Sequence, residues 1–316
     1  MQLFKDIELA DRCIRQYTRE TFLELSPYFS RSSNSNVYFK LENLQYTGSF
    51  KFRGALNKLL SLQDQERKNG VVAASTGNHG LAIACTANKL DVPCIVFVPE
   101  DSDVTKVKAI KQYRVDVRYY GHDCLETEVH ARRYAVTNGM TYASPYNDQK
   151  IIAGQGTIAV ELVRQQRDID VVFVALGGGG LISGIASYLK AINPAVKIIG
   201  CSPENSQVMI QSIKAGKIID IPSLPTLSDA TAGGVEADSI TFDLCQRLVN
   251  EYITVSEDEI KRNLRLFIET HHMLIEGAAA VAIAAFMKMS SRFTAKNVVI
   301  IICGANINPG LLKSIL

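Results

Sequence analysis

Val171-Val172-Phe173-Val174-Ala175-Leu176-Gly177-Gly178-Gly179-Gly180, followed by a helical pattern from Leu181 to Ala191, is the stretch whose reading decides the fold. An unbroken apolar run of this length reads as a strand buried on both faces. It empties through four residues without Cβ atoms into a helix N-terminus. Bare N–H groups at such a point approach an anion closely, and the helix dipole favours negative charge there. The segment therefore predicts a phosphate cup at the carboxyl end of a parallel strand.

The same rhythm recurs along the chain. Val71-Val72-Ala73-Ala74 precedes a helical pattern from Leu81 to Lys89, and Cys94-Ile95-Val96-Phe97-Val98 precedes one from Thr105 to Tyr113. Val115 to Tyr119 precedes a helix expected to open at Asp123, with Glu126 completing a capping box. Lys197 to Cys201 and Asn297 to Ile302 read as further strands, and Ser256 with Glu259 as another helix start. Apolar strands alternating with helices predict an α/β chain with parallel sheets covered on both faces. The loop Ser75-Thr76-Gly77-Asn78-His79-Gly80 has the same strand–loop–helix design as the tetraglycine unit. Two such loops suggest one ligand held between two sheet edges. Pro222, Pro225 and Gly233-Gly234 mark a long loop that borders it.

Composition narrows the function classes. The 316 residues suffice for one large or two medium domains, and 47% of them are hydrophobic. A net charge of +2, with no basic cluster interleaved with aromatics, speaks against nucleic acid or a membrane surface as partner. The N-terminus carries charge too early for a secretory signal, and the alanine-rich stretch Gly277 to Met287 is too short to span a bilayer. The seven cysteines form no C-x-x-C pair and fit reduced thiols in a cytoplasmic protein. The five histidines show no ligand spacing, so no metal is expected.

The tetraglycine lacks the Gly-Lys-Ser/Thr ending of a nucleotide P-loop, and Ser183 stands where a strict G-x-G-x-x-G needs a third glycine. Glu204 lies roughly where a ribose-binding acid would sit, so a nucleotide-sensing protein stays open. Lys51, in Ser49-Phe50-Lys51-Phe52-Arg53-Gly54-Ala55, sits at the opening of a helix expected to run to Leu62. Apolar neighbours desolvate an amine, lower its pKa and make it a nucleophile for a Schiff base.

These two motifs, the Ser75–Gly80 loop and Ile152-Ala153-Gly154-Gln155-Gly156-Thr157 occur in one order. Together they resemble the serine/threonine dehydratase and serine racemase group of pyridoxal-phosphate enzymes, the tryptophan-synthase-β fold type. The resemblance implies two domains, each an open, mostly parallel twisted sheet with helices on both faces, and the cofactor in the cleft between them. Residues 1–66 and 148–316 would form the large domain and 67–147 an inserted small one. It also implies a homodimer.

The resemblance assigns roles by position. Lys51 matches the lysine that bonds the cofactor and abstracts the Cα proton, and Phe50 the residue flanking the ring. Asn78 matches the partner of the ring hydroxyl. Ser75, Thr76, Asn78 and His79 match the loop that takes the substrate carboxylate. Gly177, Gly178, Gly179 and Gly180 match the phosphate loop, Gly234 a backbone contact beside the cofactor, and Glu276 an acid near the ring. Cys303 stands where the family usually has Ser facing the pyridine nitrogen. It serves there either as a weak donor thiol or as a thiolate paired with a protonated ring.

Thr76 stands where racemases carry Ser on the face opposite the lysine, so its hydroxyl keeps a serine or aspartate racemase open as the alternative. Tyr146, in Ser144-Pro145-Tyr146-Asn147-Asp148, resembles the dehydratase pattern, where animal racemases have Asn. The racemase cation ligands map onto Ser202 and Val208. The C-terminal effector domain of isoleucine-inhibited dehydratases is expected to be missing. The reading that follows is an ammonia-lyase converting L-threonine or L-serine to a 2-oxo acid and ammonia, with 3-hydroxyaspartate and 3-phenylserine as further candidates.

Overall fold

The computed structural model describes residues 2–122 and 124–316. Its strands are Leu23–Leu25 (β1), Asn36–Leu41 (β2), Val71–Ala74 (β3), Cys94–Val98 (β4), Asp116–Tyr119 (β5), Thr141–Tyr142 (β6), Val171–Ala175 (β7), Lys197–Pro203 (β8), Glu251–Val255 (β9) and Asn297–Ile302 (β10). They form a six-stranded sheet in the order β1-β2-β10-β7-β8-β9 and a four-stranded sheet in the order β5-β4-β3-β6. β1 pairs antiparallel with β2, and the other pairs are parallel. This is the expected α/β architecture with two mostly parallel sheets.

Each predicted strand is present, with ends that agree or differ by one or two residues. β1, β2, β6 and β9 carry no clean apolar run, and pattern reading passes over them. β2 carries Lys40 one residue from its end, β9 lies at a sheet edge, and β6 has only two residues. The Ser256 capping box forms: Ser256 Oγ accepts from the Glu259 N–H at 3.3 Å, and Glu259 Oε2 accepts from the Ser256 N–H at 2.8 Å. Asp123, the other expected cap, lies outside the described residues.

The large core lies around β7 and β10, whose central residues are fully buried. Helix Gly277–Met289, which contains the alanine-rich stretch, packs on β7, β8 and β10 and is buried along nearly its whole length. Among the described residues no helix is long and apolar enough to cross a membrane. The core of the four-stranded sheet also takes in Ala55 and Leu59 from helix Lys51–Leu60, which packs on helix Asn78–Leu90.

Helix Gln149–Gln165 organises the large sheet's outer layer. A Cβ on Gly154 would stand 2.6 Å from the Gly54 Cα, and one on Gly184 would stand 2.6 Å from the Gly156 nitrogen. The Gly54 N–H donates to Gln155 Oε1 at 3.1 Å. The Gly154-Gln155-Gly156 motif is therefore a packing motif. It lets one helix touch both the Lys51 helix and helix Gly180–Ile192 backbone to backbone.

Behind the Lys51 helix lies a buried charge cluster. Arg53 Nε donates to Glu42 Oε2 at 2.8 Å and Arg53 Nη1 to Glu161 Oε1 at 2.6 Å. Lys40 Nζ donates to Glu161 Oε2, the Thr21 carbonyl and Gln165 Oε1. Lys40, Glu42 and Arg53 are 0% exposed and Glu161 is 3% exposed. Two positive and two negative charges close the cluster. Burial lowers the Lys40 pKa even so, while Glu42 and Glu161 overcome burial at Arg53 and raise its pKa. Replacing Glu161 by Ala leaves two buried cations without their shared partner. The expected loss is about 3–5 kcal/mol of unfolding free energy, read from urea unfolding of the variant against the parent.

Candidate active site

Lys51 opens its helix from a turn stitched to the end of β10. The Phe50 N–H donates to the Cys303 carbonyl at 3.0 Å, the Ala305 N–H donates to the Gly48 carbonyl at 2.9 Å, and Ser49 bridges Gly304. Lys51 is half-buried, and its Nζ donates to the Pro145 carbonyl at 2.6 Å, 5.2 Å from the centre of the Phe50 ring. Burial lowers its pKa to about 8, against the opposing pull of Cys303 and Glu276. Burial thus favours the neutral amine more than at an exposed lysine.

Glu276 is the N-cap residue of helix Gly277–Met289 and is 2% exposed. Both its oxygens accept from Asn78 Nδ2 at 2.9 Å, and Oε2 also accepts from the Asn306 N–H at 3.2 Å. Asn306 Nδ2 donates to Asn78 Oδ1 at 2.6 Å and to the Thr47 carbonyl at 2.8 Å. Burial pushes the Glu276 carboxyl up to about 7, although Asn78 opposes this. Cys303 Sγ lies 3.9 Å from Glu276 Oε1. Burial, with the Glu276 charge beside it, pushes this thiol well above its ordinary range. That direction favours the thiol over the thiolate at Cys303.

Asn78 starts the helix after β3. The turn before it is tight: Ser75 Oγ accepts from the Gly77 N–H at 3.1 Å, and a Cβ on Gly80 would stand 2.1 Å from the Ser75 carbonyl. Among the described residues, the N–H groups of Asn78, His79 and Gly80 have no hydrogen-bond partner. Unpartnered N–H groups at the N-terminus of a 13-residue helix are suited to an anion. The His79 ring is spent on structure. Its Nε2 lies 2.8 Å from the Ala143 carbonyl, and burial followed by the nearby Lys51 charge lowers its pKa to about 3. What His79 offers a ligand is its backbone N–H. Thr76 is half-buried, and its hydroxyl makes no side-chain hydrogen bond among the described residues.

The tetraglycine packs against Tyr146, Thr231 and Thr241. Gly179 is the N-cap of its helix with φ +85°, in the left-handed region. A Cβ on Gly177 would stand 2.8 Å from the Thr231 carbonyl oxygen, and one on Gly178 would stand 2.4 Å from the Tyr146 ring. The N–H groups of Gly177 to Gly180 have no hydrogen-bond partner among the described residues. Tyr146 Oη accepts from the Glu236 N–H at 2.9 Å. Glu236 in turn accepts from Asn147 Nδ2 at 2.7 Å and pairs with Arg132 at 2.7 Å.

The structure thus joins Asn78, Glu276, Cys303, Phe50, Lys51, Tyr146 and the tetraglycine in one chain of contacts between the two sheets. Ser75 and Thr76 lie on the loop leading to Asn78. Gly234 is exposed on the long loop, between Thr231 and Glu236, and faces open space. Sequence reading passed over Asn306, Asn147 and Glu236. Asn306 lies beside Cys303 in the chain, the one hint available for it. Four unpartnered N–H groups, linked through Tyr146 and Pro145 to a desolvated lysine, suit a ligand that carries both a phosphate and a carbonyl.

Comparison with known proteins gives the same answer. The family described as pyridoxal-phosphate dependent enzyme matches residues 14–304. The chain is 37% identical over 316 residues to the L-threonine ammonia-lyase of Thermotoga maritima, covering 100% of this chain and 78% of that protein. It superposes on the processed form of threonine deaminase isoform 2 from Solanum lycopersicum with a TM-score of 0.94 and 32% identity, covering 99% of this chain and 91% of that one. It superposes on maize serine racemase with a TM-score of 0.93 and 30% identity, covering 98% and 95%.

A methyl group on Gly179 meets two penalties, the left-handed backbone and the Thr241 Cβ at 3.0 Å. Gly179→Ala is expected to lower stability by about 1–3 kcal/mol, measured by thermal or urea unfolding of the apoprotein.

Proposed function

The chain belongs to the pyridoxal-phosphate-dependent enzymes, and from that premise we propose that it is an ammonia-lyase converting L-threonine or L-serine to a 2-oxo acid and ammonia. The observation that carries this is Lys51, half-buried with a lowered pKa and joined through Pro145 and Tyr146 to the tetraglycine cup. When bound, pyridoxal phosphate supplies a carbonyl that condenses with amines and a ring that takes up negative charge from the substrate Cα.

Gly177, Gly178, Gly179 and Gly180 would hold the phosphate, Lys51 the aldehyde carbon and Asn78 the ring hydroxyl. Phe50 would flank the ring, Gly234 would border it, and Glu276 would hold Asn78 in place. Cys303, as a thiol, brings no negative charge to the pyridine nitrogen. The substrate carboxylate would meet the helix start formed by Ser75, Thr76, Asn78 and His79, with Tyr146 on the other side. Lys51, once its amine is free and neutral, would take the Cα proton. Loss of that proton and of the β-hydroxyl releases water. Hydrolysis of the resulting enamine releases the 2-oxo acid and ammonia.

The same reading divides the chain into a large domain of residues 1–66 and 148–316 and an inserted domain of 67–147. The four-stranded sheet, which lies between residues 71 and 142, supports that division. A homodimer and a cytoplasmic location belong to the reading as well, carried by the family resemblance. A second reading, an amino-acid racemase, draws on the free hydroxyl of Thr76 and on the likeness to maize serine racemase. The family match leaves the nucleotide-sensing reading without support.

A keto-acid assay across L-threonine, L-serine, 3-hydroxyaspartate and 3-phenylserine tests the proposal, and no keto acid from any of them would refute it. Lys51→Ala is expected to lower keto-acid formation by about 10²–10⁴-fold. Chiral analysis of recovered substrate tests the second reading: formation of the D-enantiomer that is lost in Thr76→Ala would establish it. The pH dependence follows from the direction of the Lys51 shift. Burial favours the neutral amine, so capture of pyridoxal phosphate by the apoprotein should accelerate as pH rises through about 8 and level off above it. An unshifted lysine would keep accelerating to about 10.4. Stopped-flow absorbance reads the difference.

A further inference from the structure

Helix Ile240–Leu248 lies behind the tetraglycine and takes no part in the roles given so far. Its second residue, Thr241, is fully buried, and its Oγ1 donates to the Gly178 carbonyl at 2.6 Å. Ser239 Oγ lies 2.7 Å from Thr241 Oγ1. Because the Thr241 proton is committed to Gly178, Ser239 must be the donor in that pair. The result is a directed relay, Ser239 to Thr241 to the Gly178 carbonyl, in which each bond polarises the next.

The peptide after Gly178 is planar and trans, so its C=O and its N–H point in opposite directions. That N–H belongs to Gly179. A carbonyl pinned toward Thr241 therefore sends the Gly179 N–H away from helix Ile240–Leu248 and into the cup. An unpinned Gly-Gly peptide rotates easily, because neither residue has a Cβ to oppose it. The Thr241 Cβ at 3.0 Å and Cys245 Sγ at 3.1 Å from a Cβ position on Gly179 back the same peptide sterically. The turn is anchored on its other side as well, where the Ile240 N–H donates to Asn147 Oδ1 at 3.0 Å, one residue from Tyr146.

We propose that Thr241 is a positioning residue for phosphate recognition, holding the Gly178–Gly179 peptide with its N–H turned toward the anion. The proposal rests on the reading of the tetraglycine as the phosphate holder. It concerns the phosphate alone: nothing in this contact touches the part of the site around Lys51, Asn78 and Cys303. Thr241 thus affects a ligand with a phosphate and leaves one without it unaffected.

The experiment compares binding of pyridoxal phosphate and of pyridoxal, which lacks the phosphate, to the apoprotein, followed by absorbance. Thr241→Val keeps the shape and removes the donor. It is expected to weaken pyridoxal phosphate binding about tenfold and to leave pyridoxal within about twofold. Thr241→Ser restores the donor and should restore phosphate-dependent affinity. Ser239→Ala, which removes the orienting donor and leaves Thr241 in place, should give a smaller loss with the same selectivity. It stands in if Thr241→Val does not fold. Equal losses for both ligands, or no loss for pyridoxal phosphate, would overturn the proposal. A parent protein that binds pyridoxal as tightly as pyridoxal phosphate would instead overturn the phosphate reading of the tetraglycine.

Discussion

The separation of Lys51 from the tetraglycine is governed where three helices cross at glycines. Helix Gln149–Gln165 touches the Lys51 helix at Gly54 and helix Gly180–Ile192 at Gly184. Helices normally pack with axes about 8–10 Å apart, kept there by the side chains at the contact. Glycines at the crossing remove that spacer. Lys51 stands about one turn before Gly54, and Gly180 about one turn before Gly184. The two contacts therefore act on the functional ends of both helices over a short lever. A methyl group at either crossing would move the amine and the anion cup relative to each other.

Within that frame the electrostatics divide sharply. Around the cleft, burial pushes each ionisable group toward its neutral form: Lys51 to about 8, Glu276 to about 7, His79 to about 3, and Cys303 well up. The positive ends of two helices, Asn78–Leu90 and Gly180–Ile192, then dominate what a ligand meets. Behind the same helix, around Arg53, charges are kept and paired. Lys51 and Arg53 are two residues apart on a helix, so they point roughly 200° away from each other. One helix thus serves a neutralised cleft on one face and an ionic anchor on the other.

The legible parts of this protein in its sequence are those whose chemistry is local. Parallel strands buried on both faces must be apolar runs, so β3, β4, β7, β8 and β10 stand out. A glycine run at a helix start needs no distant partner to declare an anion site. Lys51 became readable through its motif, since a lone lysine carries no mark of its surroundings. Illegible were the residues that act on another residue's backbone or across long separations. Thr241 works through the Gly178 carbonyl, Asn306 joins Thr47 to Asn78, and Glu236 meets Arg132 in space only. The strand β2 was hidden for the same reason. Lys40 breaks its apolar pattern, and what excuses a buried lysine there is Glu161, 121 residues away. The Glu276 carboxyl beside Cys303, which bears on the choice between thiol and thiolate, is equally out of reach of the sequence, 27 residues away.

The buried quartet of Lys40, Glu42, Arg53 and Glu161 also constrains how this sequence is able to change over generations. The cluster is neutral as a whole, and burial leaves little solvent to take over from a lost partner. A single charge-removing substitution strands an opposite charge, whereas exchanging the set for apolar residues of similar volume is tolerated. The viable routes out of the present state therefore pass through paired substitutions on different elements, β2 with Gln149–Gln165 or Glu42 with the Lys51 helix. Drift at these positions is correlated by construction. The quartet thus constrains change as a unit, and the register of the lysine helix is tied to it.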